Sequence, residues 1–416
     1  GIASVPAIGY VRVAIVNSAD QVVRTVLPNG LDDGGRAAGV YDVAWDGRND
    51  SGGFVADDNY NVRISAKDLV GNSGENVLSY PLTFDRTAPG CDITLKNGDP
   101  YTNGTSVSAQ IQYNDDLSGV THMQFGGNIT APSGWQNIAD SAALTLSSGD
   151  NVKTVTIQVR DRAGNLSKIS GTTQDSIILD TTIPTISTPS PSPSVFKDST
   201  TITATVSDIN SVGDWGVYAE VSGGKVLIDT GAGGNISQVW YGRYGNWNAG
   251  ANLPSGDYRI IAHAFDAAGN EGWSPWGIAY IDRDPPGGSI SINNGDPYTA
   301  STSVTLFVSP NDNRSSPAQM NMRFSNDGSN WTPWEGYKSS KSWTIAGGTT
   351  SPTVYAQYID AVGNVGSPTG DNIFLDQAPP QISFNGSSPS GYSFNPYLNG
   401  SITVNYGITD DLSVAS

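Results

Sequence analysis

The chain has 416 residues, of which 37% are hydrophobic and only 14% are charged, and it is rich in Gly (49) and Pro (24). This composition predicts short β-strands joined by many turns, and no stretch reaches the roughly 18 apolar residues of a membrane helix. The net charge of −18 leaves no basic stripe for a phosphate backbone, which excludes nucleic-acid binding.

The first ninety residues predict an all-β domain with its own strand pattern. Apolar residues alternate with polar ones in several short segments, and the polar run at 48–53 is typical of a turn. The predicted strands are Val11–Val16, Gln21–Val26, Gly39–Asp46 and Asn59–Ala66.

Two short patterns recur in phase along the whole chain. The pattern D-x-x-G-N returns every 93 to 105 residues, at Asp68–Asn72, Asp161–Asn165, Asp266–Asn270 and Asp360–Asn364. Each copy is followed by an apolar residue, an Asp, two or three further residues and a Pro, and these Asp residues are Asp85, Asp180, Asp282 and Asp376. Two patterns in phase over four periods predict a tandem array of domains, each near the roughly 100 residues of an immunoglobulin-like (Ig-like) sandwich.

The array predicts domains at 1–89, 90–184, 185–286 and 287–380, arranged as an extended rod of tandem Ig-like β-sandwiches. Residues 381–416 are expected to begin a further, incomplete Ig-like domain with a strand at Ser401–Ile408, so the native polypeptide is expected to continue. The segments Asn97–Thr102 and Asn294–Thr299 share the sequence N-G-D-P-Y-T and are each predicted to be a turn.

The third repeat gives the clearest strand pattern. Gly269 is at the position where a type I hairpin turn needs a left-handed residue, so Asp266–Asn270 is predicted to be a tight hairpin. The predicted strands are Thr200–Ser207, Trp215–Val221, Lys225–Asp229, Asp257–Phe265 and Trp276–Ile281.

These residues carry a family resemblance. Residues 90–380, with the D-x-A-G-N hairpins and D-x-T-x-P exits, resemble the tandem bacterial Ig-like repeats of large surface proteins and adhesins. The first domain resembles the Ig-like domain of flagellar hook-capping proteins, through Ala44–Gly52 and Asn59–Val62. The family's usual Gly before the Tyr is Asn59 here. The resemblance implies an extracellular or cell-surface location, but hook assembly is not carried over.

Acidic residues predict a cation site at the domain junctions. Only four of the 39 acidic residues are Glu, and Asp favours turns and hard cations such as Ca²⁺. In an Ig-type sandwich the B–C and F–G loops share one pole, where the exit strand of the preceding domain also arrives. Carboxylates that converge there repel unless a cation holds them, although each Asp could merely accept turn hydrogen bonds. The candidate calcium ligands are Asp85, Asp115, Asp116, Asp161, Asp180, Asp208, Asp266, Asp282, Asp284, Asp312, Asp360, Asp376 and Asp410, with Asn270 and Asp411 as further members.

Aromatic residues form a second set of candidates. In repeats three and four they could stack on a glycan or anchor a protein partner, or they could be core residues and rings packed under long loops. The candidates for ligand contact are Trp240, Tyr244, Trp247, Trp331 and Trp334.

Catalysis has little support in the sequence. The two histidines, His122 and His263, are in different predicted domains, the one cysteine is Cys91, and no nucleophile or zinc pattern occurs. The sequence therefore predicts a non-catalytic structural segment of a long secreted or surface protein, with Ca²⁺ at its junctions. Its expected partners are the neighbouring Ig-like domains, self-assembled chains, or a surface glycan or protein. The alternatives are a ligand-binding adhesin module and the accessory tail of an extracellular hydrolase.

Overall fold

The computed structural model describes residues 8–27, 40–68, 70–77, 82–131, 134–388 and 403–410. Across these residues the regular structure consists of 35 β-strands and four short 3-10 helices, so the predicted all-β fold class is confirmed. The 3-10 helices are Lys96–Gly98, Asn246–Asn248, Asn293–Gly295 and Pro317–Gln319.

No helix within the described ranges combines the length and the hydrophobicity that a bilayer-spanning helix requires.

The chain divides into two compact units. The first contains residues 1–184, 208–213 and 265–272, and the second contains residues 185–207, 214–264 and 273–416. Two short segments of repeat three, a loop and a hairpin turn, therefore belong to the first unit.

Repeat one, in the first unit, is built on one long strand. β3 pairs with β1 on one side and β4 on the other, and β2 and β5 complete the arrangement. A small core forms around Ile15, Val55 and Tyr60, with Trp45 and Phe84 packed against it. The strands are β1 (Ile8–Val16), β2 (Val22–Leu27), β3 (Asp58–Asp68), β4 (Ser73–Val77) and β5 (Leu82–Phe84).

Repeat two, also in the first unit, is a two-sheet sandwich. Its strands are β6 (Gly90–Leu95), β7 (Tyr101–Thr102), β8 (Ser106–Asn114), β9 (Val120–Gly127), β10 (Gln136–Asn137), β11 (Ser141–Thr145), β12 (Asn151–Asp161) and β13 (Gln174–Leu179). The sheet β11-β8-β6 faces the sheet β10-β9-β12-β13-β7 across one apolar core. Residues of β8 alternate between exposed and buried from Ser106 to Ile111, as the two-residue period of a half-buried strand requires.

Repeat three contributes its sheets to the second unit. Its strands are β14 (Thr185–Ile186), β15 (Ser190–Ser192), β16 (Val195–Phe196), β17 (Thr200–Ala204), β18 (Val206–Ser207), β19 (Val212–Val221), β20 (Gly224–Ala232), β21 (Ile236–Trp240), β22 (Gly256–Asp266), β23 (Glu271–Trp273) and β24 (Gly277–Ile281). The larger sheet has the order β16-β24-β22-β19-β20, and the smaller has the order β15-β17-β21. The predicted strands of this repeat are confirmed, with the first one divided at Thr205 into β17 and β18.

Repeat four, in the second unit, repeats the plan of repeat two. Its strands are β25 (Gly287–Ile292), β26 (Tyr298–Thr299), β27 (Ser303–Asn311), β28 (Asn321–Ser325), β29 (Glu335–Gly336), β30 (Ser340–Thr344), β31 (Thr353–Ile359), β32 (Thr369–Asn372) and β33 (Phe374–Leu375). The sheets β25-β27-β30 and β29-β28-β31-β32 enclose its core. A final antiparallel pair follows, β34 (Gln381–Ser388) and β35 (Thr403–Thr409), which overlaps the strand predicted at Ser401–Ile408.

Two local predictions need correction. The strand predicted at Gly39–Asp46 is wrong for residues 40–46, which belong to no strand, while Gly39 is outside the described residues. The segments Asn97–Thr102 and Asn294–Thr299, predicted to be turns, also contain a short strand. Each runs from a 3-10 helix into a two-residue strand, β7 or β26, that pairs in parallel with the last strand of its repeat.

Candidate functional site

The four D-x-x-G-N segments form the same hairpin turn. In each, the Asp side chain accepts the backbone N–H of the Asn, while the Asn side-chain amide donates to the other carboxylate oxygen. The Gly has a φ of 92–102°, the left-handed region that glycine adopts without strain. The predicted hairpin is therefore confirmed at all four positions, and the Asp–Asn pair that closes it is built into the sequence pattern.

In three of the four copies the Asn also binds the exit segment of the preceding repeat. The side-chain amide of Asn165 donates to the backbone carbonyl of Asp85 at 3.1 Å. Asn270 donates to the carbonyl of Asp180 at 2.8 Å, and Asn364 donates to that of Asp282 at 3.1 Å. Of the three, only Asn270 was a candidate from the sequence, although the Asn that ends every copy of the pattern is a signal for all three.

Three clusters of acidic side chains surround these contacts. Within each cluster, one carboxylate oxygen from each of three Asp residues lies within 4.8 Å of the others. One Asp comes from the exit segment, one directly follows strand β8, β18 or β27, and one opens the D-x-x-G-N turn. The first cluster is Asp85, Asp115 and Asp161; the second is Asp180, Asp208 and Asp266; the third is Asp282, Asp312 and Asp360. Each cluster lies within a single unit.

The exit Asp residues share one hydrogen bond and differ in the other. One oxygen of Asp85, Asp180 and Asp282 accepts the backbone N–H two residues further along, at 3.0, 3.1 and 3.3 Å. In the first cluster the second oxygen of Asp85 accepts the N–H of Ser118 at 3.2 Å. In the second cluster the second oxygen of Asp180 accepts the side-chain amide of Asn210 at 2.8 Å. These donors reduce the repulsion among the carboxylates, and neither was singled out from the sequence.

The third cluster lacks such a donor. Asp282 is fully buried, and its Oδ2 has no hydrogen-bond partner among the described residues. Burial raises the pKa of Asp282, and the negative charges of Asp312, Asp360 and Asp284 raise that pKa further. An ionised carboxylate that is buried without a partner is unfavourable, so a positively charged partner at this oxygen would stabilise it.

The remaining candidate ligands lie outside the three clusters. Asp284 accepts the side-chain amide of Asn313 at 2.7 Å and contributes its backbone N–H to Asp282. Asp376 accepts the N–H of Ala378, as an exit Asp does. Among the described residues, Asp116, Asp376 and Asp410 join no group of three acidic side chains, and Asp411 is outside those residues.

The aromatic candidates divide into buried rings, rings covered by a cationic side chain, and exposed rings. Trp240 is only 1% exposed and packs edge-to-face against Phe196 and Tyr258, so the expectation that it contacts a ligand is wrong. Trp331 and Trp334 are half-buried, and the guanidinium of Arg323 lies 4.9 and 4.5 Å from their ring centroids.

In repeat three, Lys225 makes similar cation–π contacts with two tryptophans. Its ammonium group lies 4.5 Å from the ring centroid of Trp273 and 5.5 Å from that of Trp276. These cation–π contacts occupy ring surface that a sugar would need. Tyr244 and Trp247, in contrast, are 42% and 58% exposed.

Both histidines have local partners. The Nδ1 of His122 is 2.9 Å from the hydroxyl of Thr121. His263 stacks on Trp273, with ring centroids 4.8 Å apart, and its Nε2 lies 3.2 Å from the hydroxyl of Tyr218. These contacts fit the structural role that the alternating pattern predicts for His263.

Part of the chain matches a known domain family. A family model described as the FlgD Ig-like domain matches residues 5–69, which confirms the resemblance given for repeat one. No curated protein sequence matches the chain.

Many solved structures are similar to the chain, and three of them illustrate the likeness. A tetra-tandem repeat in the extending region of a large adhesion protein has 18% identity and a TM-score of 0.32, covering 90% of this chain and 93% of that one. The FN1–FN3 domains of chicken CNTN1 have 13% identity and a TM-score of 0.24, with 69% and 99% covered. The fibronectin(III)-like modules of Clostridium thermocellum CbhA have 13% identity and a TM-score of 0.24, with 46% and 94% covered.

Proposed function

We propose that the chain is a non-catalytic structural segment of a long secreted or cell-surface protein, such as an adhesin stalk or an extracellular filament. The observation that supports this function is the repeated contact between a D-x-x-G-N turn and the preceding exit segment, made by Asn165, Asn270 and Asn364. A contact that is built three times from the same residues stabilises architecture, whereas catalysis needs one constellation of reactive groups.

We also propose that Ca²⁺ stiffens this segment, and that the third cluster is where it binds. Ca²⁺ takes six to eight oxygen ligands, and the third cluster offers carboxylates from Asp282, Asp312 and Asp360. The Oδ2 of Asp282 is the oxygen that carries the proposal, because it is buried and without a partner among the described residues. The sequence predicts a calcium site at every domain junction, whereas we propose a calcium site at the third cluster alone.

Calorimetric titration of Ca²⁺ into the chain tests the metal site. We expect about one ion per chain, with a dissociation constant of about 10⁻⁴–10⁻³ M, typical of extracellular calcium modules. Asp282→Asn should abolish binding, and the matched change Asp180→Asn should leave it intact. Three equivalent ions, or full binding by the Asp282→Asn chain, would contradict the assignment.

Antibody labelling of intact source cells tests the location. An antibody raised against this segment should label cells without permeabilisation, and protease added outside the cells should remove the label. Labelling that requires lysis, in cells whose culture medium also lacks the protein, would overturn the proposed extracellular role.

A further inference from the structure

One loop of repeat three presents exposed aromatic rings. This aromatic loop, residues 241–251, follows β21 in the second unit. Tyr241, Tyr244 and Trp247 are 45%, 42% and 58% exposed, and they fall within seven consecutive residues. Exposed apolar surface that is concentrated in one place is a mark of a binding site, whereas scattered single residues are not.

The backbone of the loop is held in an unfavourable conformation. Trp247 has φ 59° and ψ 37°, and Asn248 has φ 55°. A bulky residue in this left-handed region is strained, and such outliers concentrate at functional sites. The outlier here is the most exposed ring of the loop.

Hydrogen bonds fix the loop in this conformation. The side chain of Asn248 accepts the N–H of Tyr241 and donates to the carbonyl of Val239, both at 3.0 Å. The Asn246 side chain accepts the N–H of Leu227, on the neighbouring strand β20, at 2.9 Å. The rings are therefore presented on a braced support, which lowers the entropy lost when a ligand binds.

The face of Trp247 is open in a way that other tryptophans are not. Lys225 covers Trp273 and Trp276, and Arg323 covers Trp331 and Trp334. Within the described part of the chain, no cation–π or ring-stacking contact involves Trp247. An uncovered indole face can stack on an apolar surface of similar size, such as the C–H face of a pyranose ring.

Positively charged side chains on and beside the loop indicate the charge of the ligand. Arg243 is exposed on the same loop, with its guanidinium 5.9 Å from the ring centroid of Tyr241. Arg283 braces the base of the loop by donating to the carbonyls of Tyr241 and Gly242. Two arginines on one small surface stand out in a chain of net charge −18, and they would attract an anion.

We propose that the aromatic loop binds a pyranose glycan that carries a carboxylate. The sugar ring stacks on Trp247 with Tyr244 beside it, and Arg243 pairs with the carboxylate. None of these three side chains belongs to an acidic cluster, so sugar binding is expected without calcium.

An array of uronate- and sialate-containing oligosaccharides, with neutral counterparts, tests the proposal in the presence of chelator. The strongest acidic hit is then titrated by calorimetry. Trp247→Asn removes the ring and suits a left-handed backbone, and it should weaken binding by roughly tenfold. Trp247→Tyr keeps a ring and should stay within a few fold of the parent, and Arg243→Gln should lose the preference for acidic sugars.

Tyr298→Ala is the matched control, because Tyr298 is an exposed ring outside the loop. It should bind sugar as the parent chain does, and the Trp247→Asn chain should stay folded, with a thermal transition at or above that of the parent because Asn suits the left-handed backbone. The proposal is overturned if no sugar on the array binds, or if Trp247→Asn binds as well as the parent. It is also overturned if the loop instead mediates self-association that Trp247→Asn abolishes without any effect on sugars.

Discussion

The second and third acidic clusters use the same three positions but balance their charges differently. Asp180 and Asp282 are both fully buried, and each accepts one backbone N–H. The second oxygen of Asp180 accepts the amide of Asn210, whereas the second oxygen of Asp282 has no partner among the described residues. In the second cluster a side chain of the protein thus donates to the buried exit carboxylate, whereas in the third cluster one oxygen of that carboxylate has no such donor.

The position of one asparagine accounts for this difference. In repeat three, Asn210 follows Asp208 by two residues, and its amide reaches Asp180. In repeat four, Asn313 follows Asp312 by one residue, and its amide reaches Asp284 instead. A shift of one residue therefore moves the donor from the buried exit carboxylate to an exposed one, and it leaves Asp282 without the side-chain donor that Asp180 has.

The largest expected effect comes from the asparagine clamp that all three clusters share. Asn364→Ala should destabilise repeat four by about 3 kcal/mol, because it leaves the Asp282 carbonyl and one Asp360 oxygen buried without their donor. Hydrogen exchange of the Asp360–Asn364 turn measures the change. Asn72→Ala is the control, because Asn72 closes the same turn. Equal losses for the two variants would show that the contact to the exit segment contributes nothing.

A change of opposite sign is expected for the exit carboxylates themselves. Without calcium, Asp282→Asn should stabilise the chain by about 1 kcal/mol, because it removes a buried charge whose Oδ2 has no donor among the described residues. Asp180→Asn should destabilise it by a similar amount, because Asn210 then faces an amide. Calorimetric unfolding in chelator compares the two variants, and effects of the same sign would refute the contrast between the clusters.

The smallest effect is a shift in titration at the first turn. The side-chain amide of Asn72 lowers the pKa of Asp68, so the ionised form is favoured in the folded chain. The stability that this bond contributes is present above the ordinary Asp pKa of about 3.9 and is lost as the pH falls through the lower folded value. Carboxyl titration by NMR should show this, with Asn72→Ala returning Asp68 toward its ordinary range. A normal pKa for Asp68 in the parent chain would contradict it.

The sequence predicted the fold and the clusters well because both depend on short local patterns. The D-x-x-G-N pattern specifies a turn, the Asp that is followed by Pro after two or three residues specifies an exit, and the sandwich topology then brings Asp180, Asp208 and Asp266 together. Which carboxylate lacks a donor could not be predicted, because Asn210 and Asn313 differ by a single position whose side-chain direction depends on the folded loop.

The aromatic residues show the same limit. Trp240 and Trp247 are seven residues apart in similar surroundings, yet one is buried and the other is 58% exposed. Composition identifies both as candidates, but strand register decides between them, since Trp240 ends β21 with its ring against Phe196 and Tyr258. Whether Lys225 or Arg323 covers a tryptophan ring likewise depends on contacts that form only in the folded chain.

An anomalous-difference map from crystals grown in millimolar Ca²⁺ tests the central claim most directly. The account predicts one calcium peak, in the third cluster beside Asp282 Oδ2, and none in the first or second cluster. A peak at Asp85 or Asp180 with none at Asp282, or a third cluster that holds only water at that concentration, would contradict it.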